Sequence, residues 1–369
     1  VTGQAQATAV RARIAVRRLP LLAGAVLSLV AGLWGGLGLL GTGVPLPRAA
    51  FAGQHGPLMA LGFLGTLISL ERAVALGRAW GHAAPALAGV GAIAAAAGLV
   101  GLGRLLLTVA AAWLIAVYLV LLGRRPDRDI VVQLSGAVAW YAGGLLWIRG
   151  RPIADLVPWL MAFLVLTIAG ERLELARLAF LRRRVSDGLL VAAALVGAGV
   201  VLSVLRPDAG WRLAGLGMVA LTGWLAVNDV ARRTVRGTGL PRYAAVCLLA
   251  GYVWLAAAGV IWVVAGRAEG GGGYDAALHA VFLGFAMSMV FGHAPVILPA
   301  ILRVRLPYHR LLYAPLAVLH VGLLVRIAGD LGGVRGLRMT GGVLDEIALL
   351  AFGCCAAAAS RLSRPRKPS

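Results

Sequence analysis

Acidic side chains are scarce in this sequence: 14 Asp and Glu stand against 35 Lys and Arg in 369 residues, and only Lys367 among the cations is a lysine. Cysteine is nearly absent too. Cys247, Cys354 and Cys355 form no Cys-x-x-Cys pair, which argues against a disulfide framework or a thiolate metal site and leaves them as small apolar packing residues. Long polar stretches are also missing. No linker exceeds about a dozen residues, the longest being the Gly-rich stretch around Gly270 to Tyr274, so there is no room for a soluble domain.

What remains is apolar: 60% of the chain is hydrophobic, 13% is charged, and the mean hydropathy is +0.89. Such a composition belongs in lipid, where every backbone polar group must be paired within the chain, as in helices or closed barrels. The apolar runs are about 20 residues long and do not alternate, so they read as helices. The net charge of +21 does not indicate nucleic acid, because the arginines fall between apolar runs, where they set topology.

Apolar runs occupy roughly 20–42, 51–77, 83–102, 104–123, 130–149, 152–178, 187–205, 211–230, 242–265, 275–299, 310–329 and 340–360. The expectation is an all-α bundle of twelve transmembrane helices over 20–360. It is flanked by basic segments at 1–19 and 361–369. The break between the third and fourth helices rests on Gly101, Gly103 and Arg104. Arg11, Arg13, Arg17 and Arg18 precede the first run with no small-residue cleavage site, as in a retained first helix.

Placing the N-terminus inside puts twenty-five cations in inner segments and nine in outer ones, with Arg326 inside a helix. Cytoplasmic loops collect Lys and Arg, so both termini are expected in the cytoplasm. The Ala, Gly and Arg bias points to a bacterial inner membrane, with lipid as the surrounding partner. A faint repeat accompanies this order: Leu70-Glu71-Arg72 closes the second helix, and Gly170-Glu171-Arg172 closes the sixth. These charged ends, with Glu174, are expected to neutralise one another while Arg reaches the headgroups. Asp155 and Asp330 read as boundary residues.

Ionisable groups at membrane depth are costly and therefore informative. His82 and His309 sit in inner loops and read as solvated. His55 and His279 each lie about four residues into a helix that runs from outside to inside, so both are about 6 Å below the outer boundary. Two imidazoles at one depth can hold one iron from opposite sides, although two unrelated interface histidines would give the same pattern. Met59, Gly62 and Thr66 share the His55 face at helical spacing, and Gly284 and Ala286 follow His279; small residues there would leave room for a flat macrocycle.

His55-Gly56-Pro57-Leu58-Met59 resembles the His-Gly-x-x-Met pattern of haem-copper oxidase subunit I, whose second helix supplies an axial ligand of the low-spin haem. His279, with Ser288 and Met289 further along, resembles the tenth helix of that family, which supplies the opposite ligand. Arg326 matches the region where the family places arginines on haem propionates. The resemblance implies a b-type haem between His55 and His279 in an oxidase-like bundle. Two departures change the implied function. Residues 152–205 contain no His, so the family's copper ligands are missing, and its high-spin haem ligand is replaced by Ala277. The layout instead resembles the NnrS family of twelve-helix haem-binding proteins linked to nitric oxide metabolism. That implies electron transfer or nitric oxide chemistry, with a redox partner.

His293 lies 14 residues after His279, a spacing that returns it to nearly the same face about 21 Å deeper. It reads either as a second cofactor ligand or proton relay, or as a His bonded to carbonyls freed by Pro295 and Pro299. His320, in the eleventh helix, is a candidate third ligand or supporting partner. A second metal site, with copper the candidate, would draw on His293 and His320. The rival readings are a secondary transporter, which would need broken helices near the midplane, and a cofactor-free membrane assembly protein.

Overall fold

The computed structural model describes residues 2–178, 183–302 and 308–362. Twelve helices among them are long and apolar enough to cross a membrane. They are α1 (Arg18–Leu40), α2 (Ala50–Leu76), α3 (Ala79–Ala96), α4 (Val100–Arg124), α5 (Arg128–Ile148), α6 (Ile153–Ala176), α7 (Ser186–Leu205), α8 (Pro207–Asn228), α9 (Gly239–Ala265), α10 (Gly272–Pro299), α11 (Arg310–Gly332) and α12 (Arg335–Ala359). No strand occurs among the described residues. Spans of 18 to 28 residues rise roughly 27 to 42 Å, enough to cross a hydrocarbon core of about 30 Å.

Two boundaries differ from the sequence expectation. The helix that contains α1 begins at Thr2, so the described part of the basic segment is helical and continuous with the first span. Most of that segment's side chains, like those of 361–369, lie outside the described residues, but Arg18 donates to the Ile301 carbonyl at 2.9 Å. The turn between α3 and α4 falls at Ala97–Leu99, which places Gly101, Gly103 and Arg104 inside α4. Gly98 makes that turn with φ 89°, a conformation open to glycine and costly for other residues. Arg104 reaches across instead, donating to the Trp147 carbonyl at 3.3 Å with its guanidinium over the indole.

The spans most enclosed by protein are α2, α6 and α10, which are four apart and touch one another. Around them the helices pair in chain order. The α4–α5 and α8–α9 contacts join successive groups of four, and α12 against α1 closes the ring. Glycines allow the closest crossings, as where Gly322 of α11 meets Asp345 and Leu344 of α12.

The repeat read from Glu71-Arg72 and Glu171-Arg172 recurs in the polar contacts. Arg72 bonds Glu71, donates to Gln133 Oε1 of α5 at 3.1 Å, and lies 3.7 Å from Glu171 of α6. Arg172 in turn donates to His293 Nε2 of α10 at 2.9 Å and lies 3.9 Å from Asp229, which also accepts from Tyr252 Oη at 2.8 Å. Each arginine thus runs from the central helix of one group to the central helix of the next. Arg172 does not reach for headgroups: its side chain is 4% exposed and turned inward.

Candidate functional site

Both His55 and His279 are followed by a widened turn. A π-helical segment, Leu58–Leu64, starts three residues after His55, and another, Ala280–Met287, starts directly after His279. The third central helix, which carries no His, remains an α-helix through Ile153–Leu178. A π turn absorbs one extra residue, which rotates the following face by about 100° relative to an unbroken α-helix.

That rotation overturns part of the face reading. Gly62 packs against Ser28 and Ala92, and a side chain at Gly284 would run into the Trp254 indole, so neither glycine leaves room beside its histidine. Met59 remains on the His55 side. His293 does not return to the His279 face but meets Arg172 at the far end of the bundle.

His55, Met59, His279 and Arg326 line one cavity of about 750 Å³, within the range of cofactor pockets. Its wall is apolar where α1, α6 and α10 contribute Leu33, Val157, Leu160 and Phe282. It is charged where α10, α11 and α12 contribute Asp275, Arg326, Asp330, Arg335, Arg338, Asp345 and Glu346. The mouth is formed by Gly53, Gly270, Gly271 and Gly333. The cavity is thus apolar on one side and ionic on the other, with four carboxylates and three guanidinium groups on its charged wall.

The four buried or partly buried histidines differ in the ring nitrogen they leave free. Nδ1 of His55 is 2.7 Å from the Gly32 carbonyl, and Nδ1 of His279 is 2.8 Å from the Asp275 carbonyl. A carbonyl only accepts, so Nδ1 carries the proton in both rings and Nε2 keeps its lone pair. In His293, Nδ1 donates to the Met289 carbonyl at 2.7 Å, and the Nε2 lone pair is taken by Arg172. In His320, Nδ1 accepts from Trp254 Nε1 at 2.9 Å, which leaves the proton of the neutral ring on Nε2. Only His55 and His279 of the four therefore offer a free lone pair. His82 and His309 lie outside the cavity, where His309 Nδ1 accepts from the Leu311 amide. No group of three or more His, Cys, Asp or Glu that could hold a metal ion occurs among the described residues.

The arginines of the cavity are mostly engaged. Arg326 Nη2 donates to Asp275 Oδ2 at 3.0 Å, and Arg338 Nε lies 3.4 Å from Asp275 and 3.2 Å from Asp330. Asp330 is not the boundary residue expected of it, since its side chain is 1% exposed within this cluster. Asp155 does pair near the surface, with Arg267 at 2.8 Å. Sequence reading missed Asp275, Asp345 and Glu346. The available signal was two adjacent carboxylates in the interior of α12, in a chain with only 14 acids.

Fold and composition define a multi-pass α-helical membrane protein with an amphipathic cavity among its central helices. Residues 18–361 match the family described as a domain of unknown function (DUF8744), and the chain belongs to that family. No curated protein and no solved structure matches it.

Proposed function

We propose that the protein is a haem-binding membrane protein, similar to the NnrS family, that holds one b-type haem between His55 and His279. The observation that carries this reading is the pair of free Nε2 lone pairs at one cavity, in contrast to His293 and His320, which lie outside its lining and whose lone pairs are already used. The three central helices spaced four apart also agree with an oxidase-like bundle. When bound, the haem supplies one-electron chemistry, which suits electron transfer or a role in nitric oxide metabolism with a redox partner.

The chain's own residues do the rest. Gly32 and Asp275 carbonyls fix the tautomer and orientation of the two imidazoles. Arg326 and Arg338 hold Asp275, and through it the first turn of α10. Arg335 stands at the mouth, where an acidic substituent would meet it. Leu33, Val157 and Phe282 keep water from the apolar faces.

The visible spectrum of the purified protein, before and after dithionite, tests the assignment. Sharp reduced bands of a six-coordinate b-type haem are expected, together with poor carbon monoxide binding and no steady oxygen turnover, because His55 and His279 would both hold the haem and leave no open position for a gas. Rapid stoichiometric carbon monoxide binding with oxygen consumption would show a catalytic centre instead. A purified protein without a haem spectrum would return the choice to a transporter or an assembly protein.

Orientation in the bacterial inner membrane follows from the arginine distribution. Reporter fusions after even-numbered helices should read cytoplasm, and those after odd-numbered helices the exterior. An exterior signal after α12 would reverse the side on which the cavity opens.

A further inference from the structure

Asp345 differs from Asp275 and Asp330 in making no ion pair with an arginine of the cavity among the described residues. It lies ten residues beyond Arg335 on α12, about 15 Å in from that end of the helix. It is 1% exposed, lines the cavity, and has no hydrogen-bond partner on either carboxylate oxygen among the described residues. A carboxylate so enclosed, with no donor, is held at a cost that favours binding a proton or a positive group.

The surrounding charges do not supply that group. From α11, Arg326 faces this region, but it is engaged by Asp275 and lies 3.9 Å from Asp330. Glu346, the next residue on α12, adds another carboxylate. From α1 the cavity receives Leu33, Gly36, Leu39 and Leu40, none of which titrates. Across the cavity stand Tyr274, Asp275, Asp330, Arg338, His55 and His279, with Arg335 at the mouth. The Arg326 charge is felt by Asp345 and Glu346 as well as by Asp275 and Asp330, so four carboxylates share three guanidinium groups, and Asp345 has no ion pair of its own among the described residues.

We propose that Asp345 is a proton-binding site coupled to the electron, so that the protein takes up one proton as its haem is reduced. This rests on the haem reading above. With haem bound, an external one-electron reductant would supply the electron that the haem takes up, and Asp345 would take one proton from solvent onto a carboxylate oxygen. Reoxidation releases both. The cause is electrostatic: an added electron in an enclosed, weakly screened space disfavours a second negative charge nearby. Because the reduced state then binds the proton more tightly, the midpoint potential falls as pH rises.

The test is a spectroelectrochemical titration of the haem-loaded, full-length protein in nanodiscs across the neutral pH range, with dithionite as reductant. The wild-type potential should fall with rising pH. Asp345→Asn should flatten that dependence, Asp345→Glu should restore it, and Glu346→Gln should leave it in place. Reduced-minus-oxidised infrared spectra of the wild type should show a protonated-carboxyl band on reduction, a readout that does not require a variant to fold. A haem whose potential ignores pH and whose reduction gives no carboxyl band would overturn this proposal alone. A slope kept by Asp345→Asn but lost by Glu346→Gln would do the same. Absence of any haem would overturn the underlying reading as well.

Discussion

His55→Ala and His279→Ala should each abolish the low-spin haem spectrum, whereas His82→Ala, His309→Ala and His293→Ala should leave it unchanged. The difference follows from where the lone pairs point. His55 and His279 keep Nε2 free at a shared cavity, whereas the His293 lone pair is engaged by Arg172 at the other end of the bundle. Losing one ligand of two leaves an open axial position, so the reduced bands should broaden or the haem should be lost on purification. The imidazole supports should show a graded effect. Asp275→Ala keeps the carbonyl that orients His279 but frees Arg326 and Arg338, and it should loosen the haem without removing a ligand. The assignment is refuted if His55→Ala retains wild-type haem content and bands. His320→Ala separates two further possibilities. Its Nδ1 is occupied by Trp254, so it should shift the spectrum little, and a complete loss of haem would identify it as a ligand.

The twelve spans were legible because lipid forces each one to be long and apolar, and the arginines between them mark the ends. The α3–α4 break was misplaced because both helices are apolar through the turn, and the residue that makes it, Gly98, differs from nearby glycines only in backbone conformation. The pairing of His55 and His279 at one cavity was readable from their equal depth. The faces below them were not, because a π turn leaves no composition signature and yet shifts everything beyond it. For that reason His293 was placed on the His279 face when its side chain meets Arg172. The ionic half of the cavity was read only in part. Arg326 stood out as a charge inside an apolar run, but Asp275 sits at a helix start where acids are ordinary. Asp330 looked like a boundary residue. Only the α12 crossing against α11 shows that it and Asp345 turn inward.

Arg172→Met should be the most destabilising single change at the end of the bundle away from the cavity. The guanidinium is 4% exposed, donates to His293 Nε2, and stands 3.9 Å from Asp229, so it ties α6 to α10 and to the segment that follows α8. Methionine keeps much of the length and apolar bulk but removes the charge, leaving Asp229 enclosed without its cation. Two donors remain to that carboxylate, Tyr252 Oη at 2.8 Å and the Ala231 amide at 2.7 Å. The expected loss is therefore about 3 kcal/mol, the low end for breaking one partner of a buried pair. Arg151→Ala makes the contrast. That side chain is 58% exposed and lies 3.5 Å from Asp155, which keeps Arg267 at 2.8 Å, so its loss should cost under about 1 kcal/mol. Thermal unfolding in detergent, followed by helical circular dichroism, should show a clear drop in Tm for Arg172→Met and a small one for Arg151→Ala. Adding Asp229→Asn to Arg172→Met should recover part of the loss, because the uncompensated charge is then gone. The folded fraction should keep the haem bands, since the ligands lie at the other end. Equal, small shifts for both arginine variants would mean that the central helices are held by apolar packing alone, and that the repeated arginine contacts contribute little to joining the three groups of helices.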